Sequence, residues 1–298
     1  MLPIRLVILL LCCGATALAQ APAKSVPDAK DLQYRVNGDT KRSYFFAETN
    51  ETMPYRVLVP STWDGKKKLP LVVMLHGGGL TQDAPFDRAP ENLKGIVTQE
   101  AEKHSFILVA PLGYNQHGAY GSLSAPPPPP PPGADAPPRP AGAPPQGAGG
   151  PPVLTPEERK RVSGLSEKDV LNVIERTAKE YNVDRSRIYL MGNSMGEIGT
   201  LHLTQKYPQM WRAIAPSGGP IDAAGYPFEK VKVKGAFFIQ GELDKGPRDN
   251  HARQKALADG FKAQGVAAEL VIVPGGNHST AWYIVLPQIF DFFEKHKK

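Results

Sequence analysis

The stretch "RIYLMGNSMGEIGTLHLTQKY", residues 187–207, decides how the rest of the chain is read. Arg187 to Gly192 is a short, largely apolar run with the composition of a buried strand. Met195 to Tyr207 reads as a helix. Between them, Gly192-Asn193-Ser194-Met195-Gly196 sets one serine between two glycines. A strand that turns sharply into a helix needs small residues two positions before and two after the turning residue, so that the two elements can approach. Gly192 and Gly196 meet that need. The turn also places Ser194 at a helix N-terminus, where unpaired amides and the helix dipole favour a developing negative charge. The five-residue pattern alone is weak; the strand before it and the helix after it give it weight.

Outward from this point, short apolar runs alternate with helical stretches. Residues 42–49 and 53–60 read as two neighbouring antiparallel strands. "LPLVVMLHG" (69–77) and "FILVAP" (106–111) are nearly continuous apolar runs, as in strands buried on both faces. Further strands are expected at 187–192, 211–218, 234–241 and 268–275, and helices at 91–104, 166–181, 195–207, 249–265 and 281–296. Ser166 and Asp169 suggest a capping box at the start of the second helix, and Pro287 a kink in the last. The alternation means βαβ units: an α/β fold with a mostly parallel, eight-stranded sheet and helices on both faces. An antiparallel start makes the sheet mixed.

Residues 121–153, "GSLSAPPPPPPPGADAPPRPAGAPPQGAGGPPV", break the pattern. Proline, glycine and alanine in this density bury no core and ladder into no sheet. The segment reads as a disordered insertion in one domain spanning 41–298, because the strand–helix alternation resumes after it. Deleting residues 124–152 should leave the fold and its melting temperature intact. The run of prolines favours a polyproline II rod, which could dock in a partner's aromatic-lined groove.

Composition bounds the function. The 298 residues are 41% hydrophobic and 21% charged, ordinary for a globular protein. The net charge of +6 is scattered apart from a short run at 65–69. No basic motif or clustered face points to nucleic acid as a partner. Residues 1–19 read as a signal peptide: Arg5, the apolar "LVILLLCC", then Ala17-x-Ala19 before Gln20. The apolar run is short for a membrane span, so the mature chain would be secreted or periplasmic; an uncleaved anchor is the alternative. Residues 20–40 read as an N-terminal extension. Both cysteines, Cys12 and Cys13, lie in the signal segment. The mature chain then has no disulfide, no thiol nucleophile and no cysteine-ligated metal.

A serine hydroxyl needs a base to become a nucleophile. His278 in "VIVPGGNHST" follows the final strand and precedes the final helix, the place such a base occupies after a serine of this kind. His104 and His296 end helices and read as surface residues; His202 and His251 read as structural; His117 could line a pocket. The imidazole needs a carboxylate to fix its tautomer. "FFIQGELDKGPRD" (237–249) offers Asp244 at the best spacing from the strand end, with Glu242 and Asp249 as alternatives. "MLHGGGL" (74–80) ends a strand in glycines whose amides can reach a substrate oxygen. Gly77 or Gly78, with Met195 as the residue after the nucleophile, can form an oxyanion hole. His76 would orient that loop. Tyr114, Tyr120, Trp282 and Tyr283 are candidate pocket walls, although Trp282 and Tyr283 could equally be helix core.

With these parts in this order, the chain resembles the α/β-hydrolase superfamily. More narrowly it is similar to secreted bacterial esterases of the polyhydroxybutyrate depolymerase and feruloyl esterase type. The phrases that carry the likeness are "YRVLVPSTWDGKKKLPLVVMLHGGG", "DVLNVIERTAKEYNVDRSRIYLMGNSMG" and "GGNHSTAW", and it covers roughly residues 50–298 apart from the proline-rich segment. The resemblance implies a Ser194–Asp244–His278 triad, no cofactor or metal, and a small or polymeric carboxylic ester attacked through an acyl-enzyme. One departure is Glu197, where relatives often carry a third glycine. It reads either as an acidic residue suited to a first helical turn or as a group that acts on His278. Two rival functions share these residues: a prolyl oligopeptidase-type peptidase, which needs a cap or propeller this chain has no room for, and a non-catalytic binding protein on the same scaffold.

Overall fold

The computed structural model describes residues 37–123, 154–244 and 250–297. The signal segment, the N-terminal extension up to residue 36, most of the proline-rich insertion and Asp249 lie outside the described residues.

Among the described residues, eight strands form one sheet in the order β1-β2-β4-β3-β5-β6-β7-β8. In chain order they are β1 (Gly38–Phe46), β2 (Glu51–Val59), β3 (Leu69–Leu75), β4 (Ile107–Pro111), β5 (Val183–Asn193), β6 (Ala213–Ser217), β7 (Gly235–Gly241) and β8 (Ala267–Val273). β1 pairs antiparallel with β2, and β2 antiparallel with β4. All other neighbours are parallel. This is the mixed, mostly parallel sheet expected from the alternation of elements.

The central strands β3, β4, β6 and β7 are buried along their whole length, because helices cover both faces and both sets of alternate side chains are apolar. Leu71, Val73 and Leu75 of β3 point to one side. There they meet Val170 and Ile174 of α3 (Pro156–Glu180), Leu201 of α4 (Met195–Lys206) and Phe261 of α5 (Asn250–Ala263). Val72 and Met74 point to the other side, towards Val97 of α2 (Ile96–His104), Trp282 of α6 (Ala281–Ile284) and Phe290 and Phe293 of α7 (Leu286–Lys295). A short helix, α1 (Ala84–Asp87), follows β3.

Three expected elements change. The helix placed at 166–181 starts at Pro156. Its cap is Thr155, whose Oγ1 accepts from Glu158 N–H while Glu158 Oε2 accepts from Thr155 N–H. This Thr-x-x-Glu signal with proline at the first helical position was present in the sequence. Ser166 and Asp169 are instead buried mid-helix positions. The helix placed at 91–104 is a 3₁₀ turn, Glu91–Leu93, followed by α2, because Gly95 between them has φ +79° and cannot continue a helix. The terminal helix is interrupted at Val285, with Pro287 in the first turn of α7.

Candidate active site

The parallel register brings the ends of β3, β5 and β6 together: Leu75 pairs with Gly192, and Asn193 with Ser217. The chain leaves β5 at Asn193 and enters α4 at Met195, so Ser194 alone makes the turn. Its φ of 60° and ψ of −114° are strained for a residue with a side chain. Ser194 N–H donates to Ser217 O at 2.8 Å, which fixes the strained conformation. The flanking glycines are steric requirements. A Cβ on Gly192 would lie 2.4 Å from Gly196 O, and one on Gly196 would lie 2.2 Å from Leu75 O.

The glycine loop after β3 lies beside this turn. A Cβ on Gly77 would be 3.5 Å from Ser194 Cβ, and one on Gly78 would be 3.9 Å from Met195 Cβ. The N–H groups of Gly77, Gly78 and Met195 have no protein acceptor among the described residues. His76 is 3% exposed. Its Nδ1 lies 2.8 Å from Gly77 O and its Nε2 2.8 Å from Leu112 O. Burial lowers its pKa against those two contacts. Tyr120 OH donates to His76 O, and Gly79 N–H to Gln116 O. The loop is therefore held from behind by the contacts of His76, Tyr120 and Gln116.

His278 and Asp244 meet. His278 Nδ1 is 2.9 Å from Asp244 Oδ2. Asp244 is positioned by a turn out of β7, where Asp244 N–H donates to Gly241 O and Gln240 Nε2 donates to Asp244 Oδ2. The hydrogen bond and charge of Asp244 raise the pKa of His278 against the opposing effect of burial. Burial pushes the Asp244 carboxyl up, but His278 and Gln240 outweigh it and the net shift is down. Glu242 is turned away and accepts from Gly275 N–H. Ser194 and His278 line the same cleft, of about 210 Å³, without a hydrogen bond between them among the described residues. Resting sites of this kind often close that contact only around substrate.

The remaining wall residues divide. Trp282 and Tyr283 line the cleft, together with Leu80, Pro85 and Arg88. Tyr120 is fully buried behind the glycine loop, and Tyr114 packs against Phe46, so neither is a cleft wall. His104 is not a surface residue: its side chain is 8% exposed and stacks on Phe106. His296 Nδ1 contacts Phe292 O in the last turn of α7. His202 pairs with Glu167 at 2.9 Å, and His251 Nε2 contacts Gly241 O. His117 is exposed beside Gly79. Among the described residues no group of three or more His, Cys, Asp or Glu side chains could hold a metal, and no helix is long and apolar enough to cross a membrane.

Sequence reasoning missed two parts. Asn193 Nδ2 donates to His278 O at 3.0 Å and so ties the histidine loop to the serine turn. Gly218, with φ +62°, passes so close that a Cβ would be 3.3 Å from Asp244 Oδ2 and 3.5 Å from His278 Nδ1. The only sequence signal for the second was the glycine pair after β6.

A mostly parallel eight-stranded sheet with helices on both faces and a strained serine between strand and helix is the α/β-hydrolase fold. Similar solved structures include a ferulic acid esterase, 16% identical with a TM-score of 0.60, the match covering 86% of this chain and 98% of that one. A thermostable esterase is 19% identical with a TM-score of 0.57, covering 86% of this chain and 62% of that one, so this chain spans under two thirds of its length. An S-formylglutathione hydrolase from Agrobacterium tumefaciens is 15% identical with a TM-score of 0.58, covering 87% and 94%. The sequence itself matches no family model and no curated protein.

Proposed function

We propose that the protein is a serine hydrolase that cleaves carboxylic esters through Ser194, His278 and Asp244. The observation that carries this reading is the strained Ser194 in one cleft with a histidine whose far nitrogen sits 2.9 Å from a carboxylate. His278 takes the Ser194 proton as Oγ attacks the ester carbonyl. Asp244 holds the tautomer and stabilises the imidazolium. Met195 N–H and one of the Gly77 and Gly78 amides receive the oxyanion, a contribution of about 10²–10³ in rate per donor. His278 then protonates the leaving alcohol, and water releases the acid from the acyl-enzyme.

The neighbours described as esterases and as an S-formylglutathione hydrolase share attack at an acyl carbonyl, which supports acyl transfer from an oxygen or sulfur leaving group. Residues 1–19 are proposed to direct the chain to the periplasm or the medium; N-terminal sequencing of the exported protein should begin at Gln20. A fluorophosphonate probe should label Ser194, and Ser194→Ala should lose both labelling and turnover of a p-nitrophenyl ester. Labelling without ester turnover would favour a peptidase. Absence of labelling in the wild type would leave a binding protein on this scaffold. A panel of acetyl, butyryl, feruloyl and polyester substrates then defines the acyl group.

A further inference from the structure

Glu197, three residues beyond Ser194, is 0% exposed. A carboxylate on the first turn of a surface helix gains a little from the dipole and can stay in water. This one is removed from water altogether, which is costly unless hydrogen bonds and charges compensate. Its oxygens accept from Gly219 N–H at 2.8 Å and from Gln254 Nε2, which lies 2.8 Å from both. One buried side chain thus links three elements: α4, the turn after β6, and α5.

The turn after β6 is where the consequence lies. Gly218 and Gly219 form a two-residue strap with different neighbours on each side. A Cβ on Gly218 would approach Asp244 and His278, whereas a Cβ on Gly219 would lie 2.6 Å from Glu197 Cβ and 2.8 Å from its carboxyl carbon. The strap therefore separates Glu197 from the Asp244–His278 pair by the thickness of a bare backbone. It is pinned at one end by Glu197, and just before it Ser217 O accepts from Ser194 N–H.

Among the described residues, the charged groups that act on Glu197 are Arg253 of α5, whose Nε lies 3.8 Å from Asp222 Oδ1, and His278, which is paired with Asp244. The turn itself, Ser217-Gly218-Gly219, supplies no ionisable side chain. Burial pushes the Glu197 carboxyl up to about 7, against the pull of Gly219, Gln254, Arg253 and His278. In return Glu197 adds to the pull of Asp244 that raises His278.

We propose that Glu197 is a positioning residue for hydrolysis: its buried carboxylate pins the Gly218–Gly219 strap against the Asp244–His278 pair, and its charge stabilises the imidazolium that His278 becomes. The proposal rests on the serine-hydrolase reading above. It also accounts for the departure at this position. A glycine here would leave the strap without its clamp and His278 with one carboxylate rather than two.

The test is the pH dependence of kcat/KM for a p-nitrophenyl ester in the wild type, Glu197→Gln and Glu197→Ala, with wild-type fluorophosphonate labelling alongside. Glu197→Gln keeps the shape, and the Gln254 amide can turn its unpaired Oε1 towards the new donor. Loss of the charge should move the acidic limb to lower pH, since His278 acts as base only when neutral. The limb should also sharpen to a single-proton slope, because two coupled groups spread the wild-type titration. Glu197→Ala should show the same shift and lose about tenfold or more in kcat, as expected when a reacting group is misplaced. Glu197→Gln and wild-type limbs that superimpose would overturn the proposal, even if Glu197→Gln lowers Tm, while leaving the hydrolase reading intact. If the variants do not fold, the wild-type limb decides: a slope below one proton supports the coupling, and a slope of one rejects it. A wild type that neither labels nor turns over would overturn both readings.

Discussion

Two glycine-to-alanine changes should move stability in opposite directions. At Gly196 the added Cβ would lie 2.2 Å from Leu75 O, 2.9 Å from Leu75 C and 3.2 Å from His76 O, whereas ordinary contact begins at 3.4 Å. Every one of those atoms is backbone, at the end of a fully buried central strand. Relief requires α4 and β3 to part by about an ångström. Overpacking typically costs about 1–3 kcal/mol, and sometimes more. With no flexible atom to yield, we take the upper end. At about 2–4 °C per kcal/mol for a domain of this size, Gly196→Ala should melt roughly 6–12 °C below the wild type. The same shift would move Ser194 away from the glycine loop, so fluorophosphonate labelling should slow by up to about 10². At Gly164, exposed in α3, a Cβ meets nothing within 4 Å. Alanine there should add about 0.5–1 kcal/mol of helix stability and raise Tm by roughly 1–4 °C. Circular dichroism melts and labelling rates measured side by side decide the matter. A Gly196→Ala protein that melts within about 1 °C of the wild type and labels at full rate would refute the steric account of the elbow.

Other outcomes follow from the buried polar groups. Asp244→Asn removes the partner that chiefly raises His278, so turnover should fall by about 10⁴, the size seen for the equivalent change in a serine protease, and the residual acidic limb should move to lower pH. Asp169 is fully buried and accepts from Tyr44 OH and from the N–H groups of Gly113 and Tyr114. Asp169→Ala strands those donors at about 1–3 kcal/mol each, so denaturant unfolding should show a loss of roughly 3 kcal/mol or more. Burial pushes Glu167 up, but His202, Lys206 and Tyr207 outweigh it and hold it at about 2, below its ordinary 4.5. Its stabilisation is then complete above pH 4.5 and lost as pH falls towards 2. A Glu167→Gln variant should be less stable than wild type at pH 7, and the gap in Tm should close between pH 4.5 and 2.

The sheet was legible because burial on both faces writes itself into a strand as a continuous apolar run, as in "LPLVVMLHG" and "FILVAP". The Ser194 turn was legible for a local reason. Only glycine clears the backbone contacts at Gly192 and Gly196, and that demand falls within five residues of sequence. His278 followed from its place after β8, and the order of elements narrowed its carboxylate partner to Glu242, Asp244 and Asp249 after β7 without choosing among them. The start of α3 was misplaced at Ser166: its signal, Thr155-Pro156-Glu157-Glu158, abuts the proline-rich segment, and the first turns carry few apolar residues to reveal the helical period.

What the sequence determined by itself was thus the set of requirements that act along the chain: strand runs, helix caps, the glycine frame of the elbow and the order of serine, aspartate and histidine. Tertiary structure alone decided what acts through space. It separated Asp244, which reaches His278, from Glu242, which turns to Gly275. It buried Tyr120 and Asp169 as supports of the glycine loop and the loop after β4. It also took Glu197 from an ordinary first-turn position to a dry one between α5 and a glycine strap. Burial and the identity of hydrogen-bond partners depend on which remote segments arrive beside a residue, and no local pattern around Glu197 encodes the arrival of Gly219 or Gln254.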